Sequence, residues 1–316
     1  MSTSRRSRLL RIGLLVVAIV FAAIALHSQW HDVRKRSAAL SPGHVSAAVA
    51  FLLASLVCTF LAWRAVLSGL GDDVPLRPAG RIFFLGQLGK YVPGSVWALV
   101  SQMELGKAYG LRRNRLATAG VLVIVIGLAV ALVLALLVVP ATLSSGSAGY
   151  AAFVLLLIPL GIALHPRFLT GLVQRTLRLL RRPELDAPLT GTMIVEVAVL
   201  SVFNNVFLGL EVWQLAVDLG GHGWTLVWLC IGTYALAASA GVIAIPLPAG
   251  AGLREAIIVL LLAPQIGTAS ATVVAIVARL IATVADVAAA GLAAASARRH
   301  PVAPAASEQL SPRRRS

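Results

Sequence analysis

Acid is scarce in this sequence. Of 316 residues only 12 are Asp or Glu, against 27 Lys or Arg, and charged residues of both signs make up 12% of the chain. A water-soluble domain carries about twice that charged fraction, because most of its exterior must face water. That shortage excludes an ordinary soluble domain. Cysteine is nearly missing too. Cys58 and Cys230 both lie inside apolar runs, where they read as small packing residues, with no disulfide framework and no metal-ligand spacing. The six histidines sit mostly at the ends of apolar runs and form no ligand cluster. The pattern GxxxxGK[ST] occurs nowhere, so no P-loop is expected to drive the protein with nucleotide. Neither a metal nor a cofactor is expected.

What is present is apolar sequence. The chain is 59% hydrophobic with a mean hydropathy of +0.89. Its apolar residues come in blocks of about 15 to 28, long enough to span a hydrocarbon layer of about 30 Å. The fold class expected is all-α: a polytopic helical membrane protein of about 7–8 transmembrane helices with two re-entrant or broken segments.

The net charge of +15 raises nucleic acid as a partner, but the basic residues crowd the ends of apolar blocks and the two termini. That placement suits anchoring against anionic inner-leaflet lipids, and no soluble domain is left to bind nucleic acid. The N-terminal MSTSRRSRLLR leads into an apolar run, Ile12 to Leu26. Ala23-Ile24-Ala25 resembles a signal-peptidase site, although the spans that follow favour a retained first helix.

Further spans are expected at His44–Ala62, at Leu116–Val139 (ended by Pro140), at Tyr150–Leu164, at Thr190–Val217, at Trp224–Ile245 and at Ala269–Ala297. Residues 166–182 project as an amphipathic helix, with Leu169, Leu172, Val173, Leu177 and Leu180 opposite Arg175, Arg178 and Arg182. Such a helix lies on the inner leaflet. Residues 1–297 form one integral membrane domain, and the proline- and serine-rich tail 298–316 is expected to be disordered. Positive-inside bookkeeping puts both termini in the cytoplasm of a plasma (inner) membrane protein, with Arg34, Lys35 and Arg36 left on the outside against the rule.

Two stretches break the apolar pattern. Residues 86–97 read GQLGKYVPGSVW, with Lys90, Tyr91, Pro93, Gly94 and Trp97 between basic flanks at Arg77/Arg81 and Lys107/Arg112/Arg113. Both ends therefore prefer the same membrane face, and the simplest construction over 82–102 is a hairpin that dips in and returns. A bland alternative has Lys90 merely snorkelling to headgroups. The second stretch, 246–263, carries Pro246, Pro248, Gly250 and Gly252 before Arg254-Glu255. A glycine-rich turn opening into a helix presents free N–H groups to anions, and a pair of interrupted segments points to a transporter-type site. Other polar residues inside spans are Glu196, Asn204 and Asn205 in one helix, and Arg279 and Asp286, seven apart, in the last. Each has a structural alternative as an interhelical bond or a satisfied pair. Glu211 and Asp218 read as solvated residues near a membrane surface.

KYVPGSVW (Lys90–Trp97) and PAGAGLRE (Pro248–Glu255) resemble, in order and separation, two signatures of the lysylphosphatidylglycerol synthase transmembrane, or flippase-like, family. Ala249 and Ala251 depart from the family's usual glycine and bulkier aliphatic residue. The resemblance implies a stand-alone membrane part, without the aminoacyltransferase domain, that translocates a phospholipid or lipid-linked headgroup in the cell envelope. Lys90 and Arg254 are expected to hold the phosphate. Glu255, with Asp286 and Glu196, would balance the cations. The rival expectations are an integral membrane enzyme using Asp72-Asp73, or an accessory subunit of a cell-envelope lipid glycosyltransferase. No catalytic motif supports the enzyme.

Overall fold

The computed structural model describes residues 38–92, 97–143, 171, 175, 189–244 and 250–299. The expected spans at Ile12–Leu26 and Tyr150–Leu164, the amphipathic stretch 166–182 apart from two residues, Pro93, Gly94, Pro246, Pro248 and the tail from 300 lie outside them.

Eight α-helices are described: α1 (Pro42–Gly69), α2 (Leu76–Gln87), α3 (Trp97–Lys107), α4 (Arg113–Leu143), α5 (Gly191–Asp218), α6 (Trp224–Ile243), α7 (Leu253–Ile266) and α8 (Thr268–Arg299). Five of them are long and apolar enough to cross a membrane: α1, α4 over Arg113–Val138, α5, α6, and α8 over Thr268–Ser296. The protein is therefore a multi-pass helical membrane protein. Its helix starts follow local chemistry. Ser41 caps α1 by accepting the His44 N–H at 3.2 Å, and Pro42 occupies the first turn, where its missing N–H costs nothing.

Several boundaries differ from expectation. α1 runs on to Gly69, beyond Ala62, and stops only at Gly71, whose φ of 86° an L side chain resists. α4 continues through Pro140 to Leu143. A proline inside a bilayer-length helix is tolerated because neighbouring groups re-satisfy the freed carbonyl. α7 likewise passes Pro264 and ends at Ile266 rather than at residue 263.

Packing gives two main cores. One gathers the ends of α1, α2, α4 and α5 that carry Trp63, Phe83, Leu116 and Ile194. The other joins the opposite end of α5 to α6, α7 and α8 through Val212, Leu229, Ile258 and Val274. α1 and α5 are antiparallel: Gly69 lies against Met193, and Ser41 and His44 bond Asp218.

Candidate functional site

The first interrupted stretch is a helical hairpin. α2 ends at Gln87, a 3₁₀ turn carries the chain from Leu88 to Tyr91, and α3 starts at Trp97. At about 1.5 Å per residue, arms of 12 and 11 residues are each well short of a bilayer. The arms lie against each other. A Cβ on Gly89 would sit 2.6 Å from the backbone of Trp97 and Ala98, and one on Gly86 would strike Gln102. Only glycine permits that approach.

Arg81 donates to the Tyr109 hydroxyl at 3.1 Å, which holds the two feet of the hairpin together. The feet stand in a charged layer. Arg115 pairs with Asp72 at 2.6 Å, and Glu104 receives Lys107 at 2.6 Å and Arg113 at 2.5 Å. The hydrogen bond from Lys107, with the charge of Arg113 beside it, holds the exposed Glu104 carboxyl below its ordinary value. The hairpin is broader than the 82–102 read from sequence, because its apolar face (Ala79, Ile82, Phe83) extends the first arm back to Leu76.

The second interrupted stretch turns back on α6. Gly250 (φ 70°) and Gly252 (φ 86°) open it, and a Cβ on Gly250 would lie 2.7 Å from the Gly241 Cα. α7 starts there. Its first N–H groups would otherwise be unpaired, and Gly252 N donates to Glu255 Oε2 at 2.7 Å. Part of the helix terminus expected to meet an anion is thus held by the protein's own carboxylate. Arg254 lays its stem on Gly241, donates from Nη2 to the Tyr234 hydroxyl, and places its guanidinium carbon 5.1 Å from that ring's centroid.

α8 receives both stretches. Asp286 accepts from Lys90 Nζ at 2.6 Å and from the Tyr91 hydroxyl at 2.6 Å. Arg279 Nη1 lies 3.4 Å from Glu255 Oε1. The seven-residue spacing puts Arg279 and Asp286 on one face of α8, as the sequence indicated, with a different interrupted stretch bound to each. The Asp286 side chain is 4% exposed and that of Lys90 34%. Lys90 is thus partly open while its partner carboxylate is buried. Arg254 and Arg279 both lie within electrostatic range of Lys90. The result is a cluster of three cations, two carboxylates and two tyrosine hydroxyls.

Not every expected residue joins it. Trp97 opens α3 and contributes its backbone to the contact with Gly89. Glu196 is exposed near the start of α5. It borders a groove of about 610 Å³ with Arg64 and Asp73, and neither Lys90 nor Arg254 lines that groove. Asn204 accepts from the Thr59 hydroxyl at 2.9 Å, tying α5 to α1, and the buried Asn205 donates to Ser201 O at 2.8 Å. Both line a cavity of about 190 Å³ whose walls hold none of the clustered charges. Asp72 is committed to Arg115, while Asp73 is 84% exposed and only 3.8 Å from Arg64.

Two residues were missed. Tyr234 sits in mid-span, where a hydroxyl needs a partner, and that position was its signal. Glu211, expected to be solvated, is 1% exposed. Asp218, also expected to be solvated, has a side chain only 9% exposed and accepts from Ser41 N at 2.7 Å and bonds His44 at 2.5 Å.

The family model described as the lysylphosphatidylglycerol synthase TM region matches residues 9–290. No curated protein matches the chain.

Proposed function

We propose that this chain, which belongs to the lysylphosphatidylglycerol synthase transmembrane family, is a lipid translocase that passes a phosphate-bearing headgroup between leaflets while the acyl or prenyl chains stay in hydrocarbon. The observation that carries this reading is the meeting of two interrupted stretches on α8, through Lys90–Asp286 at 2.6 Å and Arg279–Glu255 at 3.4 Å. A phosphate cannot cross oil unaided, because burying a bare charge costs tens of kcal/mol in the Born limit. It needs cations that it reaches by exchange. Lys90 and Arg254 are both held by oxygen partners, Asp286 and Tyr234, so an incoming phosphate replaces one oxygen ligand with another. No cation is left bare at any step. Asp286 and Glu255 keep the site near neutrality when the lipid departs.

In this reading the charged layer at the feet of the hairpin, with Arg64, Arg81, Lys107, Arg113 and Arg115, faces the cytoplasm of the plasma membrane, where anionic headgroups attract it. α8 then delivers the C-terminus to the same side. No bond-making chemistry is assigned to the protein. The Asp72-Asp73 pair that an enzyme would use is split, one carboxylate bound to Arg115 and the other facing outward.

The test uses purified full-length protein in vesicles of phosphatidylglycerol and phosphatidylcholine containing a trace of fluorescent phosphatidylglycerol. Loss of inner-leaflet label to an external quencher reports crossing. Wild type is expected to speed crossing, and Arg254→Glu to abolish the gain at equal protein content. Equal rates in empty vesicles and wild-type vesicles would overturn the reading.

A further inference from the structure

Among the described residues, one deeply buried carboxylate has no structural employment. Glu211 lies on the face of α5 that also carries Leu208, Val212 and Leu215, all packed into the apolar core shared with α6, α7 and α8. It is 1% exposed, and its Oε1 is buried with no hydrogen-bond partner among the described residues. A buried carboxylate without partners is among the most destabilising groups a protein can hold, so its retention calls for a task. The charge within its range is that of Arg254 on α7. Tyr234 on α6 accepts from Arg254 and feels Glu211 as well.

The other elements packed here add few competitors. Cys230 lies one turn before Tyr234 on α6. α8 brings Arg279 and Asp286, whose charges reach Tyr234. From α1 come Ala48 and Val45, neither titratable. Two turns further along α5, Asp218 is paired with His44, whose side chain is 40% exposed.

We propose that Glu211 is a proton-binding site coupled to the lipid site, in which Glu211 and the lipid phosphate compete for Arg254. This rests on the translocase reading for its role in transport. With no phosphate on Arg254, the guanidinium, which Glu255 also shares, favours the ionised form of Glu211. When the phosphate binds Arg254, Glu211 loses that support and takes one proton onto a carboxylate oxygen from water. The exchange is Glu211 carboxylate plus Arg254 guanidinium plus free phosphate plus one H⁺ going to Glu211 carboxylic acid plus guanidinium-bound phosphate, with charge and atoms conserved. One proton is taken up per phosphate bound, and a proton gradient thereby biases lipid movement.

The test has two independent readouts on the full-length protein. The first is infrared difference spectroscopy in detergent, with dodecyl phosphate as the probe. Adding it to wild type is expected to produce a protonated-carboxyl carbonyl band that Glu211→Gln lacks and Glu211→Asp restores, shifted. If the band persists in Glu211→Gln, or never forms, the inference falls.

The second is crossing of fluorescent phosphatidylglycerol in vesicles at stepped pH. Wild type is expected to slow by up to about tenfold per pH unit above the titration of a single coupled proton. Glu211→Gln is expected to cross at a rate nearly independent of pH. An identical pH response in wild type and Glu211→Gln would overturn the coupling while leaving translocation intact. A dodecyl phosphate band that depends on Glu211, in a wild type that moves no lipid, would overturn translocation and leave the proton site standing. Glu211→Asp serves in both assays should Glu211→Gln fail to fold.

Discussion

Tyr91 donates its hydroxyl to Asp286 at 2.6 Å across 195 positions of sequence. The same carboxylate oxygen receives Lys90, so one acidic side chain of α8 fastens both residues at the tip of the α2–α3 hairpin. Fastening by a carboxylate rather than by hydrocarbon makes the contact exchangeable. An anion of similar size and charge competes for the same ammonium, which a packed leucine would never permit.

That relationship predicts the behaviour of Asp286→Asn. Removing one member of a mostly buried pair leaves Lys90 without a counter-charge and costs about 2–4 kcal/mol, with the lower figures favoured because Lys90 is partly open to solvent. The variant is expected to melt earlier in detergent and to lose lipid crossing. Exchanging the charges, with Lys90→Asp and Asp286→Lys together, is expected to recover much of the melting temperature and little of the crossing, since the cation has moved off the hairpin. A double variant as unstable as the two single ones would show that the pair is not what binds the tip to α8.

A second prediction separates glycines that the fold requires from those it merely contains. A methyl group on Gly89 would stand 2.6 Å from rigid backbone of Trp97 and Ala98, while one on Gly291 in α8 meets nothing within 4 Å. Gly89→Ala is expected to give little folded protein, because neither arm of the hairpin can yield without breaking its helix. Gly291→Ala is expected to melt at or slightly above wild type, since alanine is the better helix former by up to about 1 kcal/mol. Thermal melting of both proteins in one detergent checks the contrast, and equal effects would contradict the hairpin geometry.

Gly241 offers a subtler case. A methyl group there would press on Arg254 Cγ and Cδ at 2.8 Å, close to the backbone end of the side chain. The expected result of Gly241→Ala is an arginine lifted from the Tyr234 hydroxyl, with folding largely kept. Lipid crossing should drop by about tenfold, the equivalent of about 1.4 kcal/mol in a binding step, at unchanged expression. Unchanged crossing would mean that the seat of Arg254 on Tyr234 has no part in transport.

How much of this was readable before the structure depends on what each feature requires. That the apolar pattern breaks around Lys90 was legible because glycine spacing, a proline and basic flanks on both sides are local properties of sequence. The second break was legible for the same reason. Which charge meets which was not. Arg279 and Asp286 share a face by their spacing, yet partner choice depends on how far each interrupted stretch reaches along α8, and that is a tertiary quantity.

Position along a span misled in two places. Glu196 was grouped with the intramembrane polar residues, yet it stands in the first two turns of α5, exposed at the end occupied by Arg64 and Asp73. Glu211 looked peripheral because it lies seven residues from Asp218 at the helix end. The packing of α6, α7 and α8 around that end buries it. Composition cannot foresee which end of a helix its neighbours will cover.

The split acidic pair supplies the last prediction. Asp72 Oδ1 is bound to Arg115 at 2.6 Å with both side chains mostly covered, and Asp72 Oδ2 is buried without a hydrogen bond among the described residues. Asp73, its neighbour, is largely in solvent. If the pair serves structure, Asp72→Asn loses a charge-assisted bond worth about 1.5–3 kcal/mol and melts earlier, while Asp73→Asn melts like wild type. Crossing per folded molecule stays within about twofold of wild type in both variants, because a change of less than about 0.5 kcal/mol is all that a group outside the path should impose. A carboxylate pair that held a catalytic metal would behave in the opposite way. Both variants would lose activity together, stability would hardly change, and chelation of divalent cations would reproduce the loss in wild type. Melting curves and vesicle crossing for the two variants, with and without chelator, decide between a salt bridge that braces the feet of the hairpin and a metal centre beside it.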